Sequence, residues 1–121
     1  MERDITTGVQ TITAAGVLTG TLDTSALTDL GTLKLAVTGL TAGAAARIVV
    51  EDTANSSAFS DALAVHVFDI AGQVNVEQDL SVKMQDKPTL RFGASNTKLR
   101  ANCTVLNGSS PSLSAHVWLE Q

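Results

Sequence analysis

The sequence predicts an all-β protein, one antiparallel β-sandwich or barrel, and three observations carry that prediction. Apolar and polar side chains alternate at every second position over several short segments, the mark of half-buried strands. Turn-forming residues recur at spacings of roughly 8–12 residues. No window of about 11 residues or more shows a 3.6-residue apolar period, so interleaved helices are not indicated. Composition agrees. Of 121 residues 44% are hydrophobic, yet aromatic residues make up 3% and Tyr is absent, so Ala, Val and Leu carry the apolar content. With abundant Thr and Ser, that mixture suits short strands and small-residue turns. The length matches one domain with a core of its own.

The elements are expected in the following order. Residues 1–8 have no strand pattern and read as a flexible N-terminal arm, leaving 9–121 for the sandwich domain. Val9 to Ala14 and Val17 to Thr24 are β-prone stretches parted by a tight turn at Ala15-Gly16. Ser25 to Leu30 suits a loop with a helical turn, because Asp23, Thr24 and Ser25 are competent caps. In Thr32 to Leu40, Leu33, Leu35 and Val37 point one way, and Lys34, Ala36 and Thr38 the other.

A turn at Thr41-Ala42-Gly43 leads into Ala46 to Glu51, with Ile48 and Val50 opposite Arg47, Val49 and Glu51. Asp52 to Asp61 reads as an exposed polar loop with Phe59 as its anchor. Leu63 to Ile70 is apolar on nearly both faces, as a central strand is. Ala71-Gly72 turns the chain into Val74 to Val82, and Asp86-Lys87-Pro88 breaks it again. A short strand over Thr89 to Phe92 and a turn over Gly93 to Thr97 precede Lys98 to Leu106, with Leu99, Ala101, Cys103 and Val105 on one side. Asn107-Gly108 opens a loop ending at Pro111. In Leu113 to Leu119, Leu113, Ala115, Val117 and Leu119 face in, while Ser114, His116 and Trp118 face the other way.

Charge and motif exclude several function classes. The formal net charge is −4, and the eight Lys and Arg residues form no stripe that would neutralise phosphates, so nucleic acid is not an expected partner. The acidic excess argues against anionic membranes, and no apolar run approaches the roughly 20 residues of a spanning helix. The opening MERDITTGVQ lacks a basic segment followed by an apolar one, so synthesis in a cytoplasm is expected. Asn55, Asn102 and Asn107 head Asn-x-Ser/Thr triplets, which chance explains in a Ser/Thr-rich chain.

The search for chemistry points away from an enzyme. Cys103 is the sole cysteine and alternates with its neighbours as a small buried hydrophobe. His66 and His116 lie far apart, neither with a second His or Cys at ligand spacing, so no metal site and no cofactor are expected. No nucleophile elbow or oxyanion-hole glycine cluster is present. The oxygens of Glu51, Asp52, Asn55, Ser57 and Asp61 do not follow the EF-hand spacing. Gly39, Gly43, Gly93 and Gly108 sit at strand ends, where turn geometry accounts for them. Trp118, on the polar face of the last strand, is the residue suited to a protein interface or to stacking on a sugar.

The stretches VLTGTLDTSALTDLGTLKLAVTGLTAGAAARIVVEDT and RFGASNTKLRANCTVLNGSSPSLSAHVWLE resemble the decoration (cement) proteins of tailed-bacteriophage capsids. The likeness covers most of the chain and lies in its general character, that of a short Thr/Ala/Gly-rich β-domain with few aromatics and a single Cys. It implies a jelly-roll-like sandwich, a virion protein on the outer capsid surface that binds and bridges major capsid protein subunits. It also implies a homo-oligomer, a trimer before a dimer. On this reading Arg3, Asp4 and Ile5 are capsid or subunit contacts, joined by Trp118 near a subunit interface. The competing expectation is a carbohydrate-binding or adhesive sandwich module of a phage fibre or bacterial surface protein.

Overall fold

A computed structural model of the chain describes residues 2–24, 32–53, 59, 63–71, 78–83 and 98–121. Among them ten strands form two antiparallel sheets. In the first, β10 (Leu113–Glu120) pairs with β5 (Thr32–Thr38), which pairs with β8 (Gln78–Lys83). The other side of β10 takes β1 (Glu2–Asp4) along residues 118–120 and β2 (Gln10–Ile12) along residues 113–115. The second sheet repeats this plan. There β9 (Lys98–Asn107) pairs with β6 (Ala45–Asp52), which pairs with β7 (Leu63–Ala71). The far side of β9 takes β3 (Gly16–Val17) and β4 (Leu22–Asp23).

Period-two alternation places the core between the sheets. Leu33, Leu35 and Val37 from β5 and Leu113, Ala115, Val117 and Leu119 from β10 are buried. They join Ile48 and Val50 from β6, Phe68 and Ile70 from β7 and Leu99, Ala101 and Cys103 from β9 in one apolar cluster. Residues from both sheets in a single dry cluster define a β-sandwich. Each large aliphatic side chain buried this way contributes about 1.5–3 kcal/mol. Among the described residues no helix is long and apolar enough to cross a membrane.

The outermost strand of each sheet is interrupted, and the two interruptions interlock. Between β1 and β2 the amides of Ile5 and Thr6 both donate to the Val117 carbonyl, at 2.9 and 3.1 Å. The Thr6 hydroxyl accepts from the Val117 amide at 3.0 Å. The Leu18 amide likewise donates to the Ala101 carbonyl at 3.0 Å, between β3 and β4. Gln10 then ties the two excursions together, accepting from the Thr19 amide at 2.8 Å and donating to the Thr19 carbonyl at 2.6 Å. Gly20 sits at the crossing with φ +121, where a Cβ would lie 2.7 Å from both the Ile5 carbonyl oxygen and the Thr7 nitrogen. Only glycine lets the two backbones approach so closely.

Several expectations need correction. Residues 2–8 are not an arm separate from the sandwich: Glu2–Asp4 is a strand, and Ile5 and Thr6 are fully buried. Hydrophobic patterning could not reveal this, because β1 itself is Glu-Arg-Asp on a sheet edge. Val105 does not face the core. A register shift opposite Arg47/Ile48 pairs Cys103 with Ile48 and Val105 with Arg47, so Thr104 is extra. One inserted residue reverses the alternation, leaving Val105 exposed and packing Leu106 against the core.

The Val17 to Thr24 stretch is two short strands, and Gly16 belongs to β3 rather than to a turn. For Leu63 to Ile70 the expectation is a central strand; among the described residues β7 pairs with β6 alone, and Val67 faces outward. Gly39, Gly43 and Gly108 have φ of 68, 78 and 124, as the turn reading requires. The expectations for Ser25 to Leu30, for Asn55, Ser57 and Asp61 in the polar loop, for Gly72 to Glu77, and for Asp86 to Thr97 lie outside the described residues.

Candidate interaction surfaces

The outer face of the first sheet gathers polar and aromatic residues at the corner where β1 meets β10. Antiparallel register sets Asp4 opposite Trp118 and Glu2 opposite Glu120, and period two puts all four with His116 on one face. The His116 and Trp118 rings stack at 4.6 Å between centroids, tilted by 25°. His116 Nε2 lies 2.9 Å from Asp4 Oδ1 and 3.4 Å from Glu2 Oε1. Trp118 Nε1 donates to Glu120 Oε2 at 3.1 Å, fixing the far side of the indole. Arg3 Nε donates to Gln121 Oε1 at 3.2 Å, which binds the two chain ends together.

The outer face of the second sheet is different in kind. The pairings Val17 with Asn102, Asn102 with Val49 and Val49 with Val67 draw a row of three valines across four strands. Val17 is 52% and Val67 40% exposed, and Val105 lies on the same face beside Arg47. Arg47 and Asp69 form an exposed ion pair at 2.7 Å that flanks the row on this side. On the other flank Arg100 bonds Glu51 at 2.9 Å and lies 4.3 Å above the Phe59 ring. Phe59 thus meets a guanidinium through its ring face.

Of the four expected contact residues, the structure brings Asp4 and Trp118 together on the outer face, whereas Arg3, paired with the inward-facing Leu119, projects on the opposite side of the sheet edge. It does not bring Ile5 to the outer face: that side chain is fully buried in the core, so it is not a surface contact. Sequence reasoning missed Glu2 as a partner of His116, since the two residues meet only through the pairing of the chain's first and last strands. The valine row was missed because its members belong to three separate strands, each contributing one valine to it.

Little here suits covalent catalysis among the described residues. Burial pushes the Cys103 thiol up from its ordinary range, against a smaller opposing effect of a backbone hydrogen bond from Val105. A thiol so held stays protonated at neutral pH and is a poor nucleophile. His66 stands in the other sheet from His116, its ring edge-on to Phe68 at 4.6 Å, so the two histidines do not meet. No protein-family model, curated protein or solved structure matches the chain.

Proposed function

We propose that this chain is a structural virion protein, a head decoration or cement protein that binds the outer capsid surface and bridges major capsid subunits. One observation carries the reading: the two outer faces of the sandwich are unlike in chemistry. A bridging protein needs two surfaces, and a two-layer sandwich with an aromatic-acidic corner on one side and a valine row on the other supplies them. Each contact can be weak, since repetition on a lattice multiplies affinity without new interactions.

The strand order supports the same reading. Counting β1 with β2, and β3 with β4, as single interrupted strands leaves eight among the described residues, and the sheets run 1-8-3-6 and 2-7-4-5. We read this order as a jelly roll, an architecture used by viral capsid and lectin domains. The partner is then the major capsid protein, the location the capsid exterior, and the assembly a homo-oligomer, a trimer before a dimer.

The test uses expanded capsids assembled from the major capsid protein encoded in the same genome. The full chain is expected to co-sediment with them saturably, and Trp118→Ala and Val67→Asp each to weaken binding by about tenfold or more, the range of an interface anchor. Absence of co-sedimentation overturns the reading. Glycan binding that is lost in Trp118→Ala, without capsid binding, instead selects the carbohydrate-binding module that shares this fold.

A further inference from the structure

We infer that Glu2, Asp4 and His116 form a binding site for a borderline first-row divalent cation, of the Zn2+ or Ni2+ class. The site does not depend on the capsid reading. It also departs from the expectation of no metal site, which rested on local spacing; these ligands come from opposite ends of the chain.

Geometry is the first argument. Metal–ligand bonds of about 2.0–2.1 Å put neighbouring ligand atoms about 2.9 Å apart at a right angle and about 3.4 Å apart at the tetrahedral angle. The imidazole Nε2 stands 2.9 Å from the Asp4 oxygen and 3.4 Å from the Glu2 oxygen. All three ligand atoms lie within 4.8 Å of one another. A cation therefore needs only small side-chain adjustments to bind all three.

Charge is the second. Two carboxylates converge on one imidazole. Even a fully protonated imidazole neutralises only one of them, whereas a divalent ion matches the pair. Preorganisation is the third. The ring of His116 is mostly buried, held by its stack on Trp118, while the carboxylates are half exposed and leave an open approach. Ligands oriented by neighbouring side chains bind metal more tightly than free ones. The donor set selects the ion: imidazole with carboxylates suits first-row metals, whereas Ca2+ and Mg2+ prefer oxygen alone.

Trp118 is the only tryptophan in the chain, so the site carries its own reporter. Ni2+ titrated into the full chain is expected to quench its fluorescence saturably, and prior Zn2+ to block the quenching. Equal concentrations of Ca2+ and Mg2+ should leave it unchanged. Calorimetric titration with Zn2+ gives the affinity without relying on the indole. His116→Ala and Asp4→Asn should each weaken Zn2+ binding at least about tenfold, since loss of even an outer-shell partner costs 10–100-fold. Glu2→Gln, on an exposed edge residue, should repeat the loss in a chain of unchanged circular dichroism. Zn2+ should also raise the melting temperature of the unaltered chain and not of His116→Ala, because a ligand of the folded state stabilises it by mass action. No saturable binding, or less than tenfold weakening in any of the three variants, overturns the inference.

Discussion

The Val117 carbonyl accepts the Ile5 amide at 2.9 Å, so the fifth residue of the chain is locked to the last strand across the centre of the sheet edge. With Ile5 buried between the sheets, the N-terminal segment is part of the folding unit. Ile5→Ala is expected to lower the unfolding free energy by about 2–5 kcal/mol, the usual range for emptying a buried aliphatic site. A urea titration reads this as a lower midpoint at unchanged slope. Deleting residues 1–7 should destabilise the chain further, so capsid-binding tests need side-chain substitutions instead of a truncation.

Gly20 and Gly16 make a matched pair. Gly20→Ala meets the backbone of Ile5 and Thr7 at 2.7 Å and needs a positive φ, so a loss of roughly 1–3 kcal/mol is expected from strain alone. Gly16 has no atom within 4 Å of a built Cβ and no positive φ. Gly16→Ala should therefore be neutral or raise stability by a few tenths of a kcal/mol, about the entropy removed from the unfolded chain. Thermal melts of the two variants side by side separate these outcomes.

Two ion pairs on the second sheet should respond unequally. Arg100 and Glu51 are 24% and 17% exposed, and the guanidinium also covers Phe59. Arg100→Ala should cost about 1 kcal/mol, discounted for partial solvation, with a positive coupling to Glu51→Gln in a double-mutant cycle. The exposed Arg47–Asp69 pair, despite its shorter 2.7 Å separation, should leave the melting temperature unchanged when Arg47 becomes Ala, because water screens it. Burial outranks distance here.

Cys103 makes stability depend on alkaline pH. Its thiol is raised by burial from the ordinary value of 9.0, so the folded chain holds the proton more tightly than the unfolded one. That contribution is complete below about pH 9 and is lost as pH rises toward the folded value. Stability should fall over that interval, and Cys103→Ala should flatten the fall. At neutral pH a thiol-specific alkylating reagent should modify the native chain slowly and the urea-unfolded chain fast.

How much of this was legible depends on how local each cause is. Strands β5, β6 and β10 could be read residue by residue, because alternation at Leu33, Leu35 and Val37 or Leu113 to Leu119 is written within one segment. Val105 was misplaced because a bulge is set by what lies opposite, here Arg47 and Ile48. The N-terminal strand escaped notice because three charged residues at an edge contribute backbone bonds and no apolar face. Trp118 and Asp4 could be named from the sequence, and Trp118 and His116 could be placed together on one face. The approach of Glu2 and Asp4 to His116 could not, since it follows from a pairing between strands more than a hundred positions apart.

The opposition of Glu2 and Glu120 has a practical consequence for building with this domain. Polypeptide joined before the first strand and after the last would leave from the same corner, a few ångströms apart. The fold can therefore be spliced into a surface loop of another protein without spreading the host's ends, or opened at the Gly108 loop with Glu2 and Glu120 joined by a short linker.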